Sequence, residues 1–155
     1  MTIKWQEELS VDGGPIDQDH HTLIAIINSF EDVRPGEDTI ARLTEVLAKL
    51  EQYGSVHFER EEQLQRTVSF PYAESHDRQH RILLDSLARA RTALAAVTSD
   101  EDLATFRSHM CGFLHDWLLD HIIQNDLLMK PFVRAMAPHA ALIANLHAAV
   151  RAMAG

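Results

Sequence analysis

Residues 40–64 read IARLTEVLAKLEQYGSVHFEREEQL, and this stretch decides the fold. Its spacing alternates between three and four residues, which is typical of a helix stripe that packs against other helices. Two of the positions on this stripe are polar, although apolar side chains are expected there. The stretch therefore predicts a long helix whose buried face carries polar chemistry, and its stripe consists of Ile40, Leu43, Leu47, Leu50, Gly54, His57, Glu61 and Leu64.

Three glutamates lie within residues 57–62 of this stretch, and helix geometry separates them. At about 3.6 residues per turn, residues four apart lie only about 40° apart around the helix axis, so His57 and Glu61 point the same way. Glu59 falls about 200° away from His57, and Glu62 also leaves the stripe. We predict that Glu61 points inward and that Glu59 and Glu62 are charges facing solvent.

Three further segments carry the same helical rhythm, and strand signals are nearly absent. We predict helices at about 17–32, 38–66 and 73–97, and a fourth that opens with a capping box at 98–102 and reaches residue 130. Short connections make neighbouring helices antiparallel. The predicted class is all-α: an antiparallel up-down-up-down four-helix bundle with an N-terminal arm.

The residues after the bundle predict an extra C-terminal helix. A stripe over residues 139–153 is amphipathic through Leu142, Leu146, Val150 and Met153. We therefore expect one domain over residues 1–155, with the bundle at about 17–130 and a C-terminal helical extension at about 131–155.

Charge and cysteine content exclude several classes of protein. The chain has 14 Lys+Arg against 23 Asp+Glu, and its net charge of −9 repels nucleic acid and anionic membranes. No targeting segment or membrane span is visible. A single cysteine excludes an internal disulfide framework and a thiolate metal cluster. We expect a cytoplasmic protein, a monomer or weak dimer, with no nucleic-acid or membrane partner.

More polar residues fall on the predicted buried stripes of the other helices. His20 lies on the first, His76 and His80 on the third, and His121 on the fourth. Asp126 follows His121 by five residues, which leaves the two about 140° apart on an ideal helix, so either it reaches around the stripe or a π-bulge realigns it. Surface or structural roles are predicted for the remaining histidines, His21, His109, His115, His139 and His147.

A metal centre would explain why so many polar groups lie in one core. Each residue alone has an ordinary explanation, such as a hydrogen-bonded core histidine or a surface aspartate. Their coincidence on all four helices favours metal binding, because an unpaired buried carboxylate costs several kcal/mol. Nitrogen and oxygen ligands without sulfur suit iron, manganese or zinc.

Seven ligands exceed what one ion can use, so two ions are implied. If both are six-coordinate, and if Glu61, Asp126 and one oxo or hydroxo oxygen bridge them, then five histidines leave one position open for a small molecule. Neutral imidazoles bring less negative charge than the carboxylate-rich sites of ferritin-like bundles. This ligand set should stabilise the ferrous state and favour reversible binding over oxidation of a substrate.

Four stretches together resemble a known family: IDQDHHTL at 16–23, HFEREE at 57–62, HDRQH at 76–80 and WLLDHIIQND at 117–126. From Trp5 to about Met129 the chain is similar to the hemerythrins, in particular the single-domain bacterial kind. The resemblance implies a four-helix bundle around two non-haem irons that bind dioxygen. One departure is Asp12, where the family usually has glycine.

The resemblance also implies a role for each ligand. His76, His80 and His121 would hold the saturated iron, His20 and His57 the open one, and Glu61 and Asp126 would bridge them. An apolar oxygen pocket would surround the open position, although ordinary core packing explains its candidates equally well: Ile24, Phe58, Trp117, Leu119 and Ile122.

Three functions compete. We expect reversible dioxygen binding for storage, delivery or sensing. The first alternative is a di-iron enzyme that reduces peroxide or nitric oxide, or that oxidises ferrous iron. The second is a helical interaction module whose histidines bind no iron or hold a purely structural metal.

Overall fold

Four helices form the architecture of the computed structural model, which describes residues 2–136. In this part of the chain there is no strand, so the predicted all-α class is confirmed. The predicted helix at 139–153 lies outside the described residues. The helices are α1 (Pro15–Glu31), α2 (Thr39–Thr67), α3 (Ala73–Ala95) and α4 (Asp100–Gln124), followed by a 3₁₀ turn (Asp126–Met129) and a helical stretch at 130–136.

The helices pack in a ring, as the predicted four-helix bundle requires. Each contacts its neighbours, with α1 closing the ring against α4. Within residues 2–136, no helix combines the length and apolarity needed to cross a membrane. The buried stripes meet along the bundle axis and form a core that includes Leu23, Phe30, Leu43, Leu47, Leu50, Leu87, Leu94 and Leu114.

One predicted core residue is not in the core. Ile40 is 36% exposed. Thr39 takes the inward position at the start of α2, one turn before Leu43, and its hydroxyl donates to the carbonyl of Gly36 at 2.7 Å. The loop after Pro35 therefore fixes how α2 enters the bundle, and the stripe becomes apolar only from Leu43 onward.

The two ends of α4 differ in how well the sequence predicts them. The N-cap half of the predicted capping box is present, because the hydroxyl of Ser99 accepts from the backbone N–H of Asp102 at 3.1 Å. The Asp102 carboxylate accepts from the same hydroxyl at 2.6 Å. The predicted extension to Lys130 is wrong. The α-helix ends at Gln124, and Asn125 leaves helical geometry with φ −125 and ψ −58.

The N-terminal arm is held against the start of α1 by Asp12. Its carboxylate accepts from the backbone N–H groups of Gly14, Ile16 and Asp17 at 2.8, 3.1 and 3.2 Å. It thereby satisfies amide groups that a helix start otherwise leaves unpaired. Gly13 adopts the left-handed φ of 65 that this turn needs. Asp12 is thus a cap for α1.

A second carboxylate, on Asp17 of α1, accepts hydrogen bonds from the arm, whereas Asp12 of the arm accepts them from α1. It accepts from the Ser10 hydroxyl at 2.6 Å and from the backbone N–H groups of Val11 and Gly13 at 2.7 and 2.8 Å. Burial alone would raise the pKa of Asp17, but these hydrogen bonds outweigh it and lower the pKa. The carboxylate is ionised at neutral pH and holds the arm closed.

Replacing Asp17 with asparagine should lower the unfolding free energy of the iron-free protein by about 1–3 kcal/mol. The amide NH₂ group of asparagine would face O–H and N–H donors that now donate to a carboxylate oxygen. Urea unfolding measures this loss. The matched control is Asp85→Asn, which neutralises an exposed carboxylate in α3 and should change stability by less than about 0.5 kcal/mol. Equal losses in the two variants would show that the arm contributes nothing through Asp17.

Candidate metal centre

The bundle brings all seven predicted ligands together. Every helix contributes at least one of them, and the 3₁₀ turn contributes the last. All are buried, with side chains no more than 5% exposed: His20, His57, Glu61, His76, His80, His121 and Asp126.

The seven side chains form two overlapping groups. One contains His20 and His57, the other contains His76, His80 and His121, and both contain Glu61 and Asp126. Within each group the potential ligand atoms lie within 4.8 Å of one another. The two carboxylates therefore lie between the two sets of histidines.

The two oxygens of Glu61 face different groups. Its Oε1 lies 3.7 Å from Nε2 of His57 and 3.9 Å from Nε2 of His20. Its Oε2 lies 3.1 Å from Nε2 of His80 and 3.8 Å from Nε2 of His76. Each oxygen therefore serves one side of the centre.

Asp126 divides its oxygens in the same way. Its Oδ2 lies 3.3 Å from Nε2 of His20. Its Oδ1 lies 2.9 Å from Nε2 of His76 and 3.0 Å from Nε2 of His121. Each carboxylate thus presents one oxygen to each group of histidines.

Asp126 reaches this position by a route that the sequence did not predict. Neither a reach around the helix edge nor a π-bulge is present. The α-helix instead ends at Gln124, the N–H of Asn125 bonds to the carbonyl of His121 at 2.9 Å, and the chain tightens into a 3₁₀ turn. The break turns Asp126 from the side of the helix into the centre.

Several inner atoms of the cluster lack a hydrogen-bond partner. Nε2 of His20, Nε2 of His57 and Oε1 of Glu61 are buried without a hydrogen-bond partner. Nε2 of His76 and Nε2 of His121 lie 3.2 Å apart, so two ring nitrogens converge on one space. Buried polar atoms are rarely left unpaired, because each costs free energy. Cations between these atoms would satisfy them, and the residues therefore fit a metal centre.

Burial also prepares the protonation states for metal binding. It lowers the pKa of His57, and together with repulsion from His76 and His121 it lowers the pKa of His80 to about 2. Neutral imidazoles with a free lone pair are the form that binds metal. Burial and the charge of Asp126 hold the pKa of Glu61 well above its usual range, so the ionised pair requires a compensating positive charge.

Outer partners hold three ligand rings in place, and sequence reasoning missed all of them. Asp19 is buried and lies 3.4 Å from Nδ1 of His57. The Gln65 amide lies 2.7 Å from Nδ1 of His76, and Glu62 lies 3.1 Å from Nδ1 of His80. Because a carboxylate can only accept, Asp19 and Glu62 orient the rings of His57 and His80 with the proton on Nδ1 and leave Nε2 free for metal.

The helical spacing of the sequence could have indicated that two of these partners are buried. Asp19 precedes Leu23 by four residues, and Gln65 follows Glu61 by four, so both continue buried stripes. For Glu62 the prediction of a solvent-facing charge is wrong, since its side chain is 28% exposed and bonded to His80. Glu59 is exposed as predicted.

Asp19 is held as a carboxylate by several donors. The Tyr53 hydroxyl donates to it at 3.0 Å, and Arg60 forms a close ion pair with it. Burial would raise the pKa of Asp19, but hydrogen bonds from His57, Arg60 and Tyr53 outweigh it and lower the pKa to about 2. His57 therefore always faces a charged partner at neutral pH.

The variant Asp19→Asn should bind iron about 10–100 times more weakly, because His57 loses the charged partner that orients it. Titration of the iron-free protein with ferrous iron under anaerobic conditions measures this change. Asp116→Asn removes an exposed carboxylate from α4 and is the matched control. If the two variants bind iron equally well, Asp19 does not position His57.

The predicted oxygen-pocket residues differ in how deeply they are buried. Phe58 stacks on His80 at 4.0 Å, and Ile24, Ile122 and Trp117 are buried. Leu119 is half-buried and packs against the main core. The assignment of these residues to an oxygen pocket stays a prediction. Sequence reasoning missed Trp5, whose ring lies 6.4 Å from His20 and 4.2 Å from His21.

The other histidines lie away from the cluster where the structure describes them. His21 and His109 are exposed, and His115 is half-buried, with Nδ1 3.4 Å from the carboxylate of Asp116. His139 and His147 lie outside the described residues.

Comparison with known proteins agrees with this geometry. A profile described as the hemerythrin HHE cation binding domain matches residues 15–133. The chain belongs to the hemerythrin family. Proteins of this family bind non-haem iron and dioxygen in general, and the buried cluster of histidines and carboxylates fits that chemistry.

Two hemerythrin relatives show how far the similarity extends. A bacteriohemerythrin of Pseudomonas aeruginosa is 27% identical over 124 residues, which is 80% of this chain and 76% of the relative. A bacteriohemerythrin of Stenotrophomonas maltophilia is 27% identical over 133 residues, which is 86% of this chain and 82% of the relative. The likeness therefore covers most of this chain.

Proposed function

We propose that this hemerythrin-family protein holds two non-haem irons and binds dioxygen reversibly at one open position, for storage, delivery or sensing in the cytoplasm. The observation that carries the proposal is the division of oxygens on Glu61 and Asp126. Each carboxylate offers one oxygen to the group with two histidines and the other to the group with three.

The open position lies on the side with fewer histidines. His76, His80 and His121 would supply three nitrogens to one iron, whereas His20 and His57 would supply two to the other. If the two carboxylates and one oxo or hydroxo oxygen were shared, the iron held by His20 and His57 would have a free position. When bound, the irons supply the two electrons and the coordination site that reversible dioxygen binding needs.

The protein's own residues orient the ligands and exclude water. Burial lowers the pKa of His57 and His80, which keeps these two imidazoles uncharged. Asp19, Gln65 and Glu62 hold three of the rings in position. Phe58 covers His80 with its ring face, and Ile24 and Ile122 exclude water nearby. Excluding water protects a reversibly bound ligand, because water would promote its loss.

The test is a visible spectrum with iron quantitation on reduced protein kept anaerobic, then exposed to air, then freed of oxygen. We expect two irons per chain and a charge-transfer band that forms with oxygen and bleaches when oxygen is removed. The variant His109→Ala, which changes an exposed histidine, should behave identically. A band that never forms, or that forms once and persists, would overturn reversible binding and favour peroxide or nitric oxide reduction or a structural metal.

A further inference from the structure

The ring of His20 lacks the outer hydrogen bond that holds three of the other ligand rings. Each of those three rings, on α2 and α3, has a carboxylate or an amide within 3.4 Å of its Nδ1. Nδ1 of His20 is buried without a hydrogen-bond partner among the described residues. An outer partner normally fixes how a ligating imidazole is turned. The orientation of His20 therefore depends on the side chains that pack against its ring.

Two aromatic side chains pack against the His20 ring. His57 meets it edge-on with ring centroids 4.9 Å apart, but His57 is itself a candidate ligand. Trp5 of the N-terminal arm is the other, with ring centroids 6.4 Å apart and the two planes tilted by 38°. Aromatic rings attract one another at such separations. Because His20 is fully buried and Trp5 is half-buried, the indole is the outer support of the His20 ring.

The N-terminal arm holds Trp5 in this place. Two residues before it, the backbone N–H of Ile3 donates to the Asn28 side chain at 2.9 Å, and the carbonyl of Ile3 accepts from the same side chain at 2.9 Å. The indole also packs on His21 with ring centroids 4.2 Å apart, and its Nε1–H donates to the Glu7 carboxylate at 3.3 Å. These contacts fix the indole against α1, so the arm presents a held ring to His20.

We propose that Trp5 is a positioning residue of the metal centre, whose indole ring keeps Nε2 of His20 directed at the two-histidine side. The arm thereby completes that side, although none of residues 2–14 is among the seven clustered side chains. The inference rests on the proposed function in taking the two-histidine side as a metal site. Without the indole, the His20 ring can turn away, and that side binds metal more weakly while the three-histidine side keeps its ligands.

Anaerobic titration with cobalt(II), followed by visible absorption, compares Trp5→Ala with the parent. We expect the parent to bind two ions per chain. In Trp5→Ala the ion on the two-histidine side should bind at least about tenfold more weakly, and the other should change by less than about threefold.

The matched control is Phe106→Ala. Phe106 is also a half-buried ring packed against the main core, but it lies about 22 Å along α4 from His121. Its replacement should leave both cobalt affinities unchanged. Equal losses in Trp5→Ala and Phe106→Ala would overturn the proposal, because Trp5 would then act only as one more ring in the core.

A second background tests whether the effect passes through the two-histidine side. His57→Ala already weakens that side, so adding Trp5→Ala should cause no further loss of cobalt affinity. Trp5→Phe keeps an aromatic ring and should bind both ions within about threefold of the parent. Asn28→Ala releases the arm at Ile3 and should weaken the same ion by less than Trp5→Ala does. A loss that persists in the His57→Ala background, or that Trp5→Phe does not rescue, would overturn the proposal.

Relaxation of the His20 ring carbons, measured by NMR on iron-free protein, tests the same idea without metal. Trp5→Ala should add motion to the His20 ring, seen as exchange broadening or a lower order parameter, and Phe106→Ala should not. His80 keeps its contact with Glu62 and is the internal reference. A His20 ring as rigid as in the parent would overturn the proposal. A parent that binds fewer than two ions would contradict the proposed function, and the relaxation data alone would then decide the role of Trp5.

Discussion

Replacing Glu61 with glutamine is expected to cost the protein both irons, whereas replacing His57 with alanine is expected to cost only one. Glu61 offers Oε1 to the two-histidine side and Oε2 to the three-histidine side, so its loss weakens both. His57 belongs to one group only. Iron quantitation after anaerobic loading and desalting should give about two irons per chain for the parent, about one for His57→Ala and fewer than about 0.3 for Glu61→Gln.

Two further variants provide a second test and a control for this result. Asp126→Asn should behave like Glu61→Gln, because its oxygens are divided in the same way. His109→Ala removes an exposed histidine and should retain both irons. Retention of one tightly bound iron by Glu61→Gln would show that the carboxylate serves a single iron, and the bridged arrangement would then be wrong.

Removing iron is expected to destabilise the fold strongly. The iron-free centre leaves buried nitrogens and oxygens without partners. Ligands that bind only the folded state stabilise it by about 4 kcal/mol when their free concentration is a thousandfold above Kd. For a chain of this size that corresponds to a Tm at least about 8–16 °C lower without iron. Calorimetry of loaded and iron-free protein measures the difference, and equal Tm values would contradict a metal centre that stabilises the fold.

The Glu61→Gln substitution is expected to raise the unfolding free energy without iron and to lower it with iron. Without iron the variant should be about 1–4 kcal/mol more stable than the parent, because it removes a buried carboxylate that has no compensating cation. In iron-containing solution it should be the less stable of the two. Urea unfolding under both conditions tests this reversal. A residue with a purely structural role would destabilise both forms when replaced.

The fold class and six of the seven clustered side chains followed from periodicity in the sequence. A helix of fixed pitch turns every third or fourth residue toward the same side, so His57 and Glu61 share the face that carries Leu43, Leu47 and Leu50. Polar residues on that face stand out because apolar ones are expected there. The same rule predicted His20, His76, His80 and His121 with no knowledge of the neighbouring helices.

Helical periodicity could not give the position of Asp126, because the helix that carries His121 stops before it. The break at Asn125 is a local backbone change that brings Asp126 beside His20 from a different helix. The contact of Glu62 with His80 likewise depends on how α2 approaches α3.

The sequence by itself therefore determined an all-α chain and a set of polar residues on the inner faces of its helices. Only the tertiary structure decided that Glu61 and Asp126 are shared between two groups, which oxygen serves each group, and which outer residues hold the rings. The physical reason is that the two rely on contacts over different distances along the sequence. Helical periodicity acts over a few neighbouring residues, whereas the distances among these side chains are set by how four helices pack and by where the last one ends.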